Sequence, residues 1–125
     1  MLEKKIKVVI ADDHPLIRSG VRKIFEQTSN IIVVGEAANG QEAIALVESL
    51  CPDVLLLDIQ MPVMDGIQAL DFLHESQSDV IVLIVSAFDD TELVKELHAK
   101  GAWGCYQKES APTQLVAAVN QAVLR

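Results

Sequence analysis

The sequence predicts a doubly wound α/β domain, with five parallel strands in the order 2-1-3-4-5 and five helices. Three observations lead there. The run Val54-Leu55-Leu56-Leu57 shows no alternation of apolar and polar residues, so it belongs to a strand buried on both faces inside a parallel sheet. Short apolar runs alternate with amphipathic stretches five times, the pattern of repeated strand–helix units. The chain has 125 residues, half of them hydrophobic, enough for one core and one domain over residues 1–125.

The first strand runs from Lys5 to Ala11 and ends in Asp12-Asp13. Pro15 suits the first turn of a helix, with Asp13 or His14 near its cap, and Ile17, Val21, Ile24 and Phe25 continue one apolar stripe to about Gln27. Ile31 to Val34 is the second strand, running on through Gly35-Glu36-Ala37. Asn39-Gly40 then breaks the chain before a helix over Gln41 to Leu50 that buries Ala43, Ile44 and Val47. Pro52 precedes the central strand, and Met61-Pro62 with Asp65-Gly66 signals a turn. A short helix follows, carrying Ala69, Leu70 and Leu73 inward. Val80 to Val85 is the most β-branched run and ends at Ser86. Asp90 or Thr91 caps a fourth helix ending near Lys100-Gly101, a glycine C-cap. Trp103 to Gln107 is the fifth strand, ending at Lys108. Ser110-Ala111-Pro112 opens a last helix with Leu115, Val116, Val119, Ala122 and Val123 on one face. Right-handed crossovers leave few ways to wind such units, and the flavodoxin-like order suits a chain of this size. A six-strand dinucleotide fold would need G-x-G-x-x-G after the first strand, where this chain has Asp12-Asp13-His14-Pro15; a Walker loop is absent too.

A net charge of −8 argues against a surface that grips nucleic acid. Cys51 and Cys105 are too few for a stapled secreted scaffold and read as free thiols. With no leader pattern and no apolar run long enough to span a bilayer, the expectation is a cytoplasmic protein without membrane contact.

Open α/β sheets place their ligands at the carboxyl edge. In the order 2-1-3-4-5, strands 1 and 3 are neighbours about 4.8 Å apart, so Asp12, Asp13 and Asp58 converge there. Two like charges 4 Å apart repel by about 4 kcal/mol at an effective dielectric near 20, so three carboxylates call for a cation. Oxygen donors alone favour Mg²⁺, with Asp13 and Asp58 binding directly, Asp12 through water, and the backbone carbonyl of Gln60 completing the set. A helix cap would need only one aspartate, for about 0.3–1 kcal/mol of dipole energy. Ser86, followed by the small Ala87, ends beside Asp58. Lys108 is two strand spacings away, roughly 10 Å, which a lysine side chain can cross. A lone strand-end serine or lysine is usually only structural or solvated. Together with the carboxylates and a metal they describe an aspartyl-phosphate site.

These motifs make the chain resemble the receiver domain of a bacterial two-component response regulator over essentially its whole length. The matching residues are Asp12-Asp13, then Asp58 with Met61-Pro62-x-Met64-Asp65-Gly66, then Ser86-Ala87, and Gly101-Ala102 leading to Lys108. The resemblance implies that Asp58 accepts a phosphoryl group from a phosphohistidine on a sensor histidine kinase, with Mg²⁺ required. It implies that Ser86, the Ala87 amide and Lys108 contact the phosphate. The surface of helix 4, strand 5 and helix 5 would then change, forming a phosphorylation-dependent homodimer or releasing an output. Such a protein catalyses only its own phosphorylation and dephosphorylation. Gln60 and Phe88 would border the path of the attacking water. Asp-Asp-His-Pro, and Val33 to Ala37 with Asn39-Gly40, are similar to the subfamily whose output is a LuxR-type helix-turn-helix; the chain would be either an excised receiver or a stand-alone one, and DNA would be met only through an output domain not in this chain. Arg18 and Arg22 on helix 1 read either as kinase-choice residues or as solvated charge.

One position departs from the pattern. Family members usually carry an aromatic rotamer switch three residues before the lysine, and here that residue is Cys105. Tyr106 follows, but a one-residue shift along a strand reverses the face. This departure favours an alternative reading, a degenerate receiver acting as a constitutive protein-interaction module; the complete acidic, hydroxyl and lysine set counts against it. A metal-dependent phosphatase ranks last, because such hydrolases place a second acid where this chain has Gln60. Trp103 reads as a partly buried loop anchor, and His14, His74 and His98 as surface or helix residues rather than ligands.

Overall fold

The computed structural model describes residues 5–87, 90–108 and 112–124. Its centre is β3 (Val54–Leu57), four consecutive residues with no exposed side chain. β1 (Ile6–Ala11) pairs with it on one side, Val8–Ala11 opposite Val54–Leu57, and β4 (Ile81–Ser86) on the other, Ile81–Ile84 opposite the same four. β2 (Ile31–Ala37) and β5 (Gly104–Gln107) are the edge strands, giving one parallel sheet in the order β2-β1-β3-β4-β5. This is the flavodoxin-like arrangement that the alternation of apolar runs predicts.

The helices are α1 (Pro15–Glu26), α2 (Gly40–Leu50), α3 (Gly66–Glu75), α4 (Thr91–Ala99) and α5 (Pro112–Leu124). Successive strand residues point to opposite faces, and the core divides accordingly. Val9, Ala11, Leu55, Leu57, Val82 and Ile84 pack with α2, α3 and α4 through Ala43, Ile44, Val47, Ala69, Leu70, Leu73 and Leu97. On the other face Val8, Ile10, Val54, Leu56, Leu83 and Val85 pack with Phe25 of α1 and Leu115, Ala118, Val119 and Ala122 of α5. Burying each large aliphatic side chain contributes about 1.5–3 kcal/mol, and this two-sided burial holds the sheet edge rigid.

The helix starts follow the capping residues. Asn39 accepts from the Glu42 amide, so α2 begins at Gly40, one residue before the sequence reading put it. Asp65 and Gln68 form a reciprocal capping box at α3. Asp90 caps α4 by accepting from the Glu92 and Leu93 amides, and Gly101, at φ 106°, ends the turn after it. The opening Ser110-Ala111 of the last helix, and Phe88, lie outside the described residues.

β2 carries a bulge. Val8 pairs with Val33 but Val9 pairs with Gly35, so Val34 is skipped. Val34 packs with the α2 side of the core, and a side chain at Gly35 would also meet α2, at Leu46 and Leu50. Two successive residues thus face α2, and Glu36 is turned to the α1 side opposite Ile10. Among the described residues, no helix is long and apolar enough to cross a membrane.

Candidate functional site

The ladder extends one step past the strand ends and fixes two carboxylates. The Asp12 amide donates to the Ala37 carbonyl (3.0 Å) and the Asp58 amide to the Ala11 carbonyl (2.9 Å). Both side chains are almost fully buried, at 4% and 3% exposure. The loop after β3 folds back over them: the Gly66 amide donates to the Ile59 carbonyl, and a Cβ at Gly66 would lie 2.1 Å from the Asp58 carbonyl oxygen. Only glycine allows that approach.

Lys108 leaves β5 with its amide donating to the Ser86 carbonyl (2.9 Å). Its side chain crosses the gap anticipated from strand spacing, bringing Nζ 3.0 Å from Asp58 Oδ2 and 3.2 Å from Asp12 Oδ2. Burial pulls the Lys108 pKa down, but the two carboxylates outweigh it and hold the ammonium above its ordinary value. Burial acts the other way on Asp58 and prevails: its pKa is raised despite the Lys108 hydrogen bond, with the neighbouring Asp12 charge adding to the rise. One ammonium shared by two buried carboxylates is too little positive charge.

Asp13 completes the acidic group. One ligand atom from each of Asp12, Asp13, His14 and Asp58 falls within 4.8 Å of the others. Asp13 Oδ1 is buried and accepts no hydrogen bond, although His14 Nδ1 lies 3.1 Å away. An orphaned carboxylate oxygen beside two more carboxylates fits a hard divalent cation. Asp13 and Gln60 line one open cleft. The Gln60 backbone also hydrogen-bonds Asp58, which lowers the Asp58 pKa in part.

The structure gathers Asp12, Asp13, Asp58 and Lys108 as the sequence reading placed them. Ser86 is 5% exposed; because Ile84 is the partner of Leu57, the register sets Ser86 one step beyond the level of Asp58. It lines a cavity of about 160 Å³ under α4 with Ile59, Ile84, Leu97 and Cys105. Ala87 follows at the surface. Cys105 packs on the α4 side of the sheet and Tyr106 on the α1/α5 side, so the tyrosine is on the wrong face to replace the missing aromatic. Trp103 sits before β5 at the opposite edge, its amide donating to the Val82 carbonyl, and packs on the α1/α5 side.

Two groups of residues make contacts that their sequence pattern does not reveal. His14 is 58% exposed, as a helix-start histidine should be. Yet its amide donates to Asp12 Oδ1 (2.9 Å), and its Nδ1 lies 2.8 Å from that oxygen and 3.3 Å from Lys108 Nζ. An Asp two residues before another amide is the signal for such a turn. Arg18 and Arg22 are neither isolated nor merely solvated, since both pair with Glu36.

The profile of the response regulator receiver domain matches residues 8–120. The chain belongs to that family. The nitrate/nitrite response regulator NarL of Escherichia coli K12 is 39% identical over 115 residues, 92% of this chain and 53% of its own length. The probable transcriptional regulatory protein NarL of Mycobacterium tuberculosis is 40% identical over 116 residues, 93% of this chain and 54% of its own. This receiver domain therefore spans about half the length of these curated relatives. The solved receiver domain of the M. tuberculosis NarL response regulator superposes with a TM-score of 0.93 at 39% identity, covering 98% of this chain and all of that one. The CheX-CheY-BeF3-Mg+2 complex of Borrelia burgdorferi matches with a TM-score of 0.89 at 28% identity, over 98% of this chain and 91% of that one. The likeness is to two-component response regulators of the NarL and LuxR type, signalling proteins whose relatives regulate transcription.

Proposed function

We propose that this receiver domain, a single unit over residues 1–125, is a phosphorylation-controlled switch whose phosphoacceptor is Asp58. The observation that carries the reading is the position of Asp58 itself: a nearly buried carboxylate, 3.0 Å from Lys108 Nζ, beside an Asp13 oxygen that has no hydrogen-bond partner. An Asp58 oxygen attacks the phosphorus of a phosphohistidine on a sensor histidine kinase; the O–P bond forms as the P–N bond breaks, and the imidazole leaves. Lys108 neutralises the transferring oxygens, and Ser86 with the Ala87 amide hydrogen-bonds them. Asp12, Asp13, Asp58 and the Gln60 carbonyl would hold Mg²⁺, which supplies positive charge against the phosphoryl oxygens. The relative from Borrelia burgdorferi, which holds Mg²⁺ and beryllium fluoride, a phosphoryl mimic, supports the same use of this pocket.

The product adds roughly 1.5 to 2 negative charges beside Lys108 and Ser86. Drawing Ser86 toward them favours a conformer in which the α4, β5 and α5 surface is altered. That surface controls a homodimer, or an output domain through which DNA is met, in the cytoplasm and without membrane contact. Hydrolysis at Asp58, with Gln60 beside the water path, resets the switch. Cys105 in place of the usual aromatic favours one competing reading, a constitutive interaction module that is never phosphorylated.

Incubation with labelled acetyl phosphate or phosphorylated kinase and Mg²⁺ decides between them. The expected result is acid-stable, base-labile label that disappears in Asp58→Ala. Label persisting in that variant sinks the phosphoacceptor assignment, and no label on the wild type selects the constitutive module.

A further inference from the structure

The bulge in β2 turns Glu36 toward α1, where it meets two arginines. Arg18 Nε lies 3.2 Å from Glu36 Oε1, and Arg22 Nη1 pairs with Glu36 Oε2. Arg22 also pairs with Glu26, one turn along its own helix. Arg18 does something different with its other end. Its Nη1 donates to the backbone carbonyl of Asp12 at 2.5 Å, and its side chain is only 19% exposed. In a regular β2 Glu36 would face α2 and could not brace Arg18, so the skipped residue is what sets up the contact.

From this we infer that Arg18 is a positioning residue for the acidic pocket: held by Glu36, it pins the Asp12 carbonyl and so fixes the direction in which Asp12 and Asp13 present their carboxylates. The inference rests on the cation-binding reading of that pocket. Three features support it. A guanidinium has the rigid fork needed to join Glu36 to a carbonyl, which an ammonium lacks. The pinned carbonyl belongs to the residue between β1 and Asp13, so rotation of its peptide would turn the orphaned Asp13 oxygen away from Asp58. Its charge is balanced by Glu36 and stays outside the cluster of three carboxylates, so Arg18 orients the ligands without taking a cation's place among them. Partners behind the ligands of a metal site orient them in the same way.

The test is calorimetric titration of the whole chain with Mg²⁺ alone, followed by the Mg²⁺ dependence of label transfer from acetyl phosphate. Arg18→Ala should bind Mg²⁺ about 10–100-fold more weakly. Its transfer rate should fall at low Mg²⁺, and the shortfall should close as Mg²⁺ is raised, a split that general loss of folded protein would not give. Arg18→Lys should recover only part of the affinity. Arg22→Ala, which leaves the Asp12 contact in place, should bind as the wild type does. Glu36→Gln, a change at a partly exposed position, should weaken binding in the same direction, and its effect should vanish in the Arg18→Ala background. Wild-type affinity in Arg18→Ala, or a transfer rate that stays low at saturating Mg²⁺, overturns the positioning role. Absence of Mg²⁺ binding by the wild type overturns the cation-binding reading instead.

Discussion

Lys108→Met isolates the electrostatics of the pocket. Methionine keeps the unbranched stem and removes only the ammonium, leaving Asp12 and Asp58 buried side by side. Each Nζ–carboxylate contact, at 3.0 and 3.2 Å, corresponds to about 5 kcal/mol of attraction at an effective dielectric near 20. Most of that is offset by the desolvation no longer required of the ammonium. Removing one partner of a buried pair has a net cost of about 3–5 kcal/mol, because the remaining charge is stranded. Here two charges are stranded and they repel each other. The expected loss in urea unfolding at pH 7.5, without divalent cations, is therefore about 3–5 kcal/mol.

The sign of the pH dependence is fixed by the same geometry. The Asp58 pKa is already raised by burial, and removing Lys108 takes away the hydrogen bond that restrains the rise. A group with a raised folded pKa favours the fold fully below its unfolded value, and that favour is lost as pH rises through the folded value. The deficit of Lys108→Met should thus be largest at neutral pH and shrink as the pH falls and Asp58, its pKa raised by burial, takes up a proton. Mg²⁺ should narrow it as well, since a ligand at 100 times its dissociation constant stabilises by about 2.7 kcal/mol and the variant has lost its competing cation. A deficit below about 1 kcal/mol at neutral pH, or one that does not change between pH 7.5 and 4, would refute the shared-ammonium account.

Three further outcomes follow from the same coordinates. Asp58→Asn should raise the urea midpoint in the absence of Mg²⁺, because a carboxylate whose pKa is raised by folding works against the fold at neutral pH. A lowered midpoint would show that the Lys108 contact outweighs burial. Gly66→Ala should destabilise by about 3 kcal/mol, because the new methyl would lie 2.1 Å from the Asp58 carbonyl and 2.8 Å from Ile59 Cα. It should also abolish label transfer, since what moves is the backbone that carries Asp58, the proposed phosphoacceptor. Val63→Gly should stabilise by about 0.5–1 kcal/mol: Val63 is a β-branched residue at φ 68° with a 77% exposed side chain, so little packing opposes the relief of strain. Urea titration of each variant checks the direction.

The sequence conveys what depends on short-range pattern. The unbroken apolar run at 54–57 marks the central strand, and Ala43, Ile44, Val47, Ala69, Leu70 and Leu73 are buried as their helical spacing indicates. Asp12, Asp13 and Asp58 can be placed together from sequence because strand ends and strand order suffice to locate them. Features that depend on cross-strand register are harder to read. Gly35 inside a strand is a bulge signal, but only pairing with Val9 shows that Val34 is the residue skipped. The consequence, that Glu36 meets Arg18, cannot be read from either residue alone. The position of His14 at a helix start beside Asp12-Asp13 places it near the acidic pocket, but periodicity reports only its exposure and not its contact with Asp12. Nothing local marks Val63 as left-handed, since its conformation is imposed by the return of the loop over Asp58.

The pocket and the fold around it have opposite energetic requirements, and this gives the fold its arrangement. The proposed role as phosphoacceptor would need Asp58 ionised, close to other carboxylates and shielded from water, each of which disfavours the folded state at neutral pH. The cost is tolerable because the carboxylates sit at the ends of strands buried on both faces, where Leu55, Leu57, Val8 and Val9 are fully covered and the backbone cannot yield. The supporting positive charges come from outside that core: Lys108 from an edge strand, Arg18 from a helix facing the other edge strand through Glu36. A phosphoryl charge arriving at Asp58, as proposed, would therefore act first on groups anchored in peripheral elements, while the buried centre holds its position. For the proposed switch this is the useful division, because the charged partners lie at the periphery of the sheet while β3 is buried on both faces.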